Sequence, residues 1–180
     1  MTDEIEHLVQ RLQQEGEKSL EFFRGLPQPA WEAQVYSTGS NWSVRDILAH
    51  LTSAENGFQA LIEDILGGGR GAPLGFDIDQ FNEAEVGGLR DQQAEALLQT
   101  FDESRARTIG LARRLRPEDL SRRGRHPWFG ETEIGDMLKL IHRHNQLHQR
   151  DIRKVLATGT PLPAESRLVP PGNERDGGRT

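Results

Sequence analysis

Apolar residues recur every three to four positions in four long stretches of this chain, the period of a helix with one buried face. In the first stretch, Asp3 to Arg24, Ile5, Leu8, Val9, Leu12, Leu20 and Phe23 share a stripe, and Gly25, Pro27 and Pro29 stop it. A loop with Trp31, Val35 and Tyr36 follows. The second helix opens at Ser43, which with Asp46 forms an S-x-x-D pattern close to a capping box. It carries Ile47, Leu51, Ala54, Phe58, Leu61 and Ile65 and ends in G-G-G-R-G-A-P at 67–73. A connecting segment predicts a short helix before Gly87 and Gly88. The third long helix is expected to be capped by Asp91 and to carry Ala94, Leu97, Leu98, Phe101, Ile109, Leu111 and Leu115. Thr132 is the expected cap of the fourth, with Ile134, Met137, Leu138, Ile141, Ile152, Val155 and Leu156.

No strand alternation and no internal repeat is legible. After Gly159 the periodicity stops, and residues 160–180, rich in Pro and Gly, read as a tail that is mostly disordered when alone. The pattern predicts an all-α four-helix bundle over residues 1–159, with a long connection between helices two and three.

At 180 residues the chain is long enough for one domain with a real core. No apolar run of about 18 residues exists, so no membrane span is expected. The acidic, amphipathic start is unlike a signal peptide, which makes a cytoplasmic location the expectation. A net charge of −6 argues against a generic nucleic-acid binder, and S-R-R-G-R-H at 121–126 reads as a solvated loop. There is no cysteine. Any metal must therefore be held by His, Asp, Glu or carbonyl groups, and any thiol chemistry must use a thiol from outside.

That narrows attention to histidine. His144 and His148 stand four residues apart, within the stripe of Met137, Ile141, Ile152 and Val155. Side chains at i and i+4 project from one side of a helix, about 5–6 Å apart at Cβ, so two imidazoles can share one ion. Both should point into the bundle, whereas His142 points away from the stripe and is excluded. His50, on the flank of helix two with Ile47 and Ala54, can join them if helices two and four are neighbours. By themselves such residues fit hydrogen-bonded core histidines as well as a metal site.

The segment W-S-V-R-D-I-L-A-H-L in helix two and H-N-Q-L-H in helix four resemble the DinB-like superfamily. That group includes the YfiT-like proteins and the N-terminal domain of mycothiol-dependent maleylpyruvate isomerase. The resemblance covers residues 5–157 and includes Trp42 and Ser43 ahead of the helix-two histidine. It implies an up-down-down-up bundle and a divalent metal on His50, His144 and His148. Zn, Ni, Fe and Mn all suit imidazole ligands, and sequence does not choose among them.

The resemblance also implies a bacterial metal-dependent transferase that activates a low-molecular-weight thiol for transfer to an electrophile, and a homodimer. Two alternatives stand beside it. A metal-dependent hydrolase would need a general base, for which Glu55, Glu83 and Asp151 are candidates, although all three read as solvated surface carboxylates. Asp151 could instead orient a ligand histidine. The other alternative is a non-enzymatic, stress-related protein that binds metal or a small molecule. Trp128 and Phe129 either line a pocket mouth or pack as a plug, while Trp31 and Trp42 read as bundle-end packing.

Overall fold

The computed structural model describes residues 3–163. Its long helices are α1 (Asp3–Arg24), α2 (Val44–Leu66), α4 (Ala94–Arg114) and α5 (Ile134–Thr158), and a shorter α3 (Ile78–Leu89) lies in the long connection. The helix-two start matches its sequence signal closely. The Ser43 side chain accepts from the Asp46 backbone N–H, and the Asp46 carboxylate accepts from the Ser43 N–H in return. Such a cap is worth about 1 kcal/mol.

Other boundaries depart from expectation. α4 is capped at Gln93 rather than Asp91, with no side-chain bond at the cap. α3 runs through Gly87 and Gly88 instead of ending before them. Thr132 is not the cap of α5. It belongs to a strand, and Glu133 takes the cap position.

The expected all-α four-helix bundle is what the chain forms, and that strand belongs to a small addition to it. β1 (Arg123–His126) and β2 (Gly130–Glu133) form an antiparallel hairpin, with Arg123 opposite Glu133 and His126 opposite Gly130. The S-R-R-G-R-H segment is therefore not a solvated loop. Ala72 N–H donates to the Arg125 carbonyl and Arg125 N–H to the Arg70 carbonyl, both at 2.8 Å, which clips the hairpin to the chain after α2. Gly71 permits this approach: its φ is +76°, and a Cβ there would stand 2.5 Å from the Arg125 carbonyl oxygen. Arg122 donates to the Ile65 carbonyl at the end of α2 (2.6 Å).

Two apolar clusters fill the bundle. One gathers the C-terminal part of α1 (Leu20, Phe23), the start of α2 (Val44 to Leu51), the start of α4 (Leu97 to Phe101) and the end of α5 (Ile152, Val155). The other gathers the start of α1, the end of α2, the end of α4 and the start of α5. α1 and α5 thus run one way and α2 and α4 the other, the up-down-down-up order. α1 and α2 each pack against both α4 and α5, which makes α2 and α5 neighbours.

Between the clusters lies a polar belt. Arg105 Nε and Nη2 donate to the two oxygens of Glu55 at 2.6 and 2.9 Å, and Arg105 Nη1 donates to the Leu12 carbonyl at 2.9 Å. Thr108 adds a bond to Glu55 at 2.7 Å. With its amide oriented to satisfy both ends, Asn145 accepts from Arg105 and donates to the Ile141 carbonyl. Glu55 is 1% exposed, so the sequence reading of it as a solvated carboxylate is wrong. Burying these charges is tolerable only because each finds a partner.

The first residues of the proposed tail are pinned to the bundle. Leu162 N–H donates to the Val35 carbonyl and Ser37 N–H to the Leu162 carbonyl, both at 2.8 Å. The rest of the 160–180 segment, from 164 onward, lies outside the described residues.

Candidate metal centre and its cavity

Because α2 packs on α5, His50 meets the i, i+4 pair. His144 Nε2 lies 3.1 Å from His50 Nε2 and 2.9 Å from His148 Nε2. One ligand nitrogen from each ring falls within 4.8 Å of the others. Two imidazole nitrogens, each about 2.0–2.1 Å from a shared ion, stand about 3–3.5 Å apart or somewhat closer, so the observed spacing suits a common metal. Hydrogen bonding among the rings alone suits it less well. A neutral imidazole has one N–H, and His144 cannot donate to both neighbours at once.

The outer side of His148 fixes which nitrogen is free. Tyr36 hydroxyl lies 2.8 Å from His148 Nδ1 and donates to Asp151 Oδ2 at 3.1 Å. With its one proton on the carboxylate, the hydroxyl accepts from His148 Nδ1–H, which leaves Nε2 as a lone pair facing His144. Asp151 is buried, not a surface carboxylate, and reaches His148 through Tyr36. On the opposite side His50 packs on Trp42, ring centroids 4.5 Å apart. Trp42 is thus part of the site's wall as well as of the bundle end. Trp31 packs with Phe23, away from the three histidines.

Burial is the largest influence on all three rings, pushing their pKa values well below the usual 6.5, and neighbouring imidazoles push them further. At neutral pH they are therefore uncharged, the form that ligates metal. His142 lies outside this cluster, but it is not solvated. It is buried, with a pKa lowered to about 4 chiefly by that burial.

The three histidines form part of the wall of a cavity of about 360 Å³ between α2, α3, α5 and the hairpin. Most of the wall is apolar, with Phe58, Leu61, Phe76, Phe81, Leu147 and Phe129 prominent, and among the described residues no Asp, Glu, Lys or Arg lines it. Trp128 lines it too and is 48% exposed, which favours a pocket mouth over a packing plug. Glu83 is exposed and does not line the cavity, and Glu55 is held in the ion pair with Arg105. None of the proposed bases therefore stands free beside the three histidines.

Sequence reasoning missed Tyr36 and His126. Tyr36 is the only tyrosine in the chain, yet it comes from a loop 112 residues before His148. His126 faces the cavity from the hairpin, whose four-residue strands are too short for alternation to stand out.

The family model of the DinB superfamily matches residues 6–152. No curated protein matches the chain in sequence. Among solved structures, the mycothiol-dependent maleylpyruvate isomerase superposes with a TM-score of 0.70 at 14% identity, covering 84% of this chain and 63% of that one. This chain therefore spans less than two thirds of that enzyme's length. The colibactin self-resistance protein ClbS, solved in complex with a dsDNA, gives 0.68 at 14% identity, with 86% and 96% covered. YfiT from Bacillus subtilis, described as a probable metal-dependent hydrolase with an unusual four-helix bundle topology, gives 0.65 at 17% identity, with 88% and 90% covered. At these identities the likeness is one of fold.

Proposed function

The chain belongs to the DinB superfamily, and on that premise we propose that His50, His144 and His148 hold one divalent metal ion in a metal-dependent transferase. Its substrates would be a low-molecular-weight thiol and an apolar electrophile. The observation that carries this reading is the convergence of three neutral imidazoles on the wall of an apolar cavity. A divalent ion with open positions lowers the pKa of a coordinated thiol, so that thiolate is present at neutral pH.

The chain's own residues then have limited tasks. The three rings hold the ion, Tyr36 and Asp151 orient His148, and the aromatic walls exclude water and bring an apolar electrophile close. Thiol transfer asks for no carboxylate base, which agrees with a cavity that no Asp or Glu lines among the described residues. Hydrolysis, the activity named for YfiT, is the second reading. It is favoured by that relative and disfavoured by a cavity wall that shows no carboxylate base among the described residues. A net charge of −6 and an apolar cavity support a small molecule rather than nucleic acid as partner. Among the described residues no helix is long and apolar enough to cross a membrane. The homodimer implied by the resemblance is also part of the proposal, tested by light scattering against the 20.3 kDa of one chain.

The first test is elemental analysis of tag-free protein beside His148→Ala. The expected result is near one equivalent of a divalent metal in the wild type and little in the variant. The loaded protein is then given an electrophile with a panel of bacterial thiols, and separately an ester panel without thiol. Turnover that needs a particular thiol supports transfer, whereas ester turnover without thiol supports the hydrolase. Activity surviving the His50→Ala, His148→Ala double change would overturn the metal-centred account.

A further inference from the structure

His126, at the end of β1, lines the same cavity, and the metal chemistry leaves it without a task. Its ring packs with Phe58 and Phe129, with centroids 5.1 and 5.0 Å away. Its Nδ1 accepts the backbone N–H groups of Trp128 at 3.1 Å and Phe129 at 3.3 Å. Those two donors fix the tautomer: Nδ1 carries the lone pair, and in the neutral ring the proton sits on Nε2. Burial lowers the ring's pKa to about 4, so the neutral form prevails at physiological pH. Among the described residues, no acceptor meets Nε2–H. The site therefore presents a pre-oriented hydrogen-bond donor in a wall that is otherwise mostly apolar.

We propose that His126 is a substrate-positioning residue whose Nε2–H donates to a carbonyl-type oxygen on an otherwise apolar small molecule bound in the cavity. This rests on the reading of the cavity as the substrate site, but it does not depend on the metal. A neutral carbonyl fits better than a carboxylate. His126 offers one uncharged donor, and among the described residues no Lys or Arg lines the cavity to compensate an anion beside it. Donor, aromatic walls and the three clustered histidines share one cavity, so a carbonyl electrophile held by His126 would lie in the same space as His50, His144 and His148.

The test uses the full chain, as isolated and again after a chelator has removed metal, with the shape-matched probes acetophenone and α-methylstyrene followed by NMR titration. His126→Asn is the informative variant. Its short side-chain oxygen can still accept backbone N–H groups two and three residues on, preserving the turn, but it places no donor where Nε2 was. The ratio of ketone to alkene affinity is expected to be roughly 3- to 10-fold higher in the wild type than in the variant, with alkene binding nearly equal. Equal ratios in the two proteins overturn the role of His126. Failure of both probes to bind, with or without metal, overturns the cavity as substrate site and the inference with it. An imidazole ¹⁵N spectrum of the wild type gives a check free of mutation. It should report the Nε2–H tautomer and a shift of that proton with ketone but not alkene, and an Nδ1–H tautomer refutes the proposal.

Discussion

Replacing Tyr36 by Phe removes one oxygen and keeps a buried ring, which makes it a sharp probe of how His148 is held. That oxygen lies 2.8 Å from His148 Nδ1 and 3.1 Å from Asp151 Oδ2. Without it, neutral His148 no longer has a partner that keeps its proton on Nδ1. The proton can move to Nε2 and point at His144 Nε2, 2.9 Å away, occupying the lone pair a metal requires. Loss of such an outer partner costs about 10- to 100-fold in metal affinity, or about 1.4–2.8 kcal/mol. A buried ring nitrogen left without its partner costs about 1–3 kcal/mol of stability, against a typical total of about 5–15 kcal/mol, so the variant stays folded. Competition with a chromophoric chelator at fixed pH measures the affinity, and a denaturant titration of the metal-free protein measures the stability. Asp151→Asn keeps an acceptor oxygen and should fall between wild type and Tyr36→Phe. Affinity within twofold of wild type in folded Tyr36→Phe protein refutes the relay and reduces Tyr36 to packing.

Arg105→Met strands the Glu55 carboxylate in the core and should cost about 3–5 kcal/mol in denaturant unfolding, while Arg105→Met with Glu55→Leu should cost well under the sum of the singles. Additive losses would show that the two side chains do not act as a pair. Folded His126 and His142 have pKa values of about 4 against 6.5 in the unfolded chain. The unfolded state therefore binds more protons between those values, so stability is full above pH 6.5 and declines as pH falls toward 4. Denaturant midpoints that stay level across that window contradict the desolvation of both rings. Because burial also lowers the pKa of the three clustered histidines well below 6.5, a metal they held should be retained at pH 6, where a solvent-exposed histidine site loosens. Release at pH 6 to 6.5, followed by equilibrium dialysis, argues against a desolvated site.

The helices and the three histidines were legible because each left a local signature. Ser43 and Asp46 mark a helix start by chemistry alone, and His144 and His148 declare a shared face by spacing. His50 needed the bundle's neighbour relations, which the family resemblance implied and the α2–α5 packing shows. The polar belt also left a signal, one read too blandly. Glu55 follows Leu51 and precedes Phe58 at helical spacing, and Arg105 follows Phe101 and precedes Thr108, so both charges fall on buried stripes. A charge on such a stripe implies a partner on another helix. Sequence does not say which helix, and it took α2 packing on α4 to bring the pair together. Tyr36 and His126 left no comparable mark. Each sits in irregular or very short structure, where neither period applies, and each meets a group far along the chain, His148 for Tyr36 and Phe58 for His126. The Asp91 and Thr132 cap assignments failed for a related reason. A capping residue two or three positions before a helix start satisfies local chemistry only if the chain enters the helix there, and the entry to α5 is set by the β-hairpin docked on the end of α2. What periodicity could reach was the scaffold and the cavity wall that carries the three histidines. The rest of the wall is built largely by the hairpin, α3 and the segment before α3, the parts whose form depends on contacts with the finished bundle.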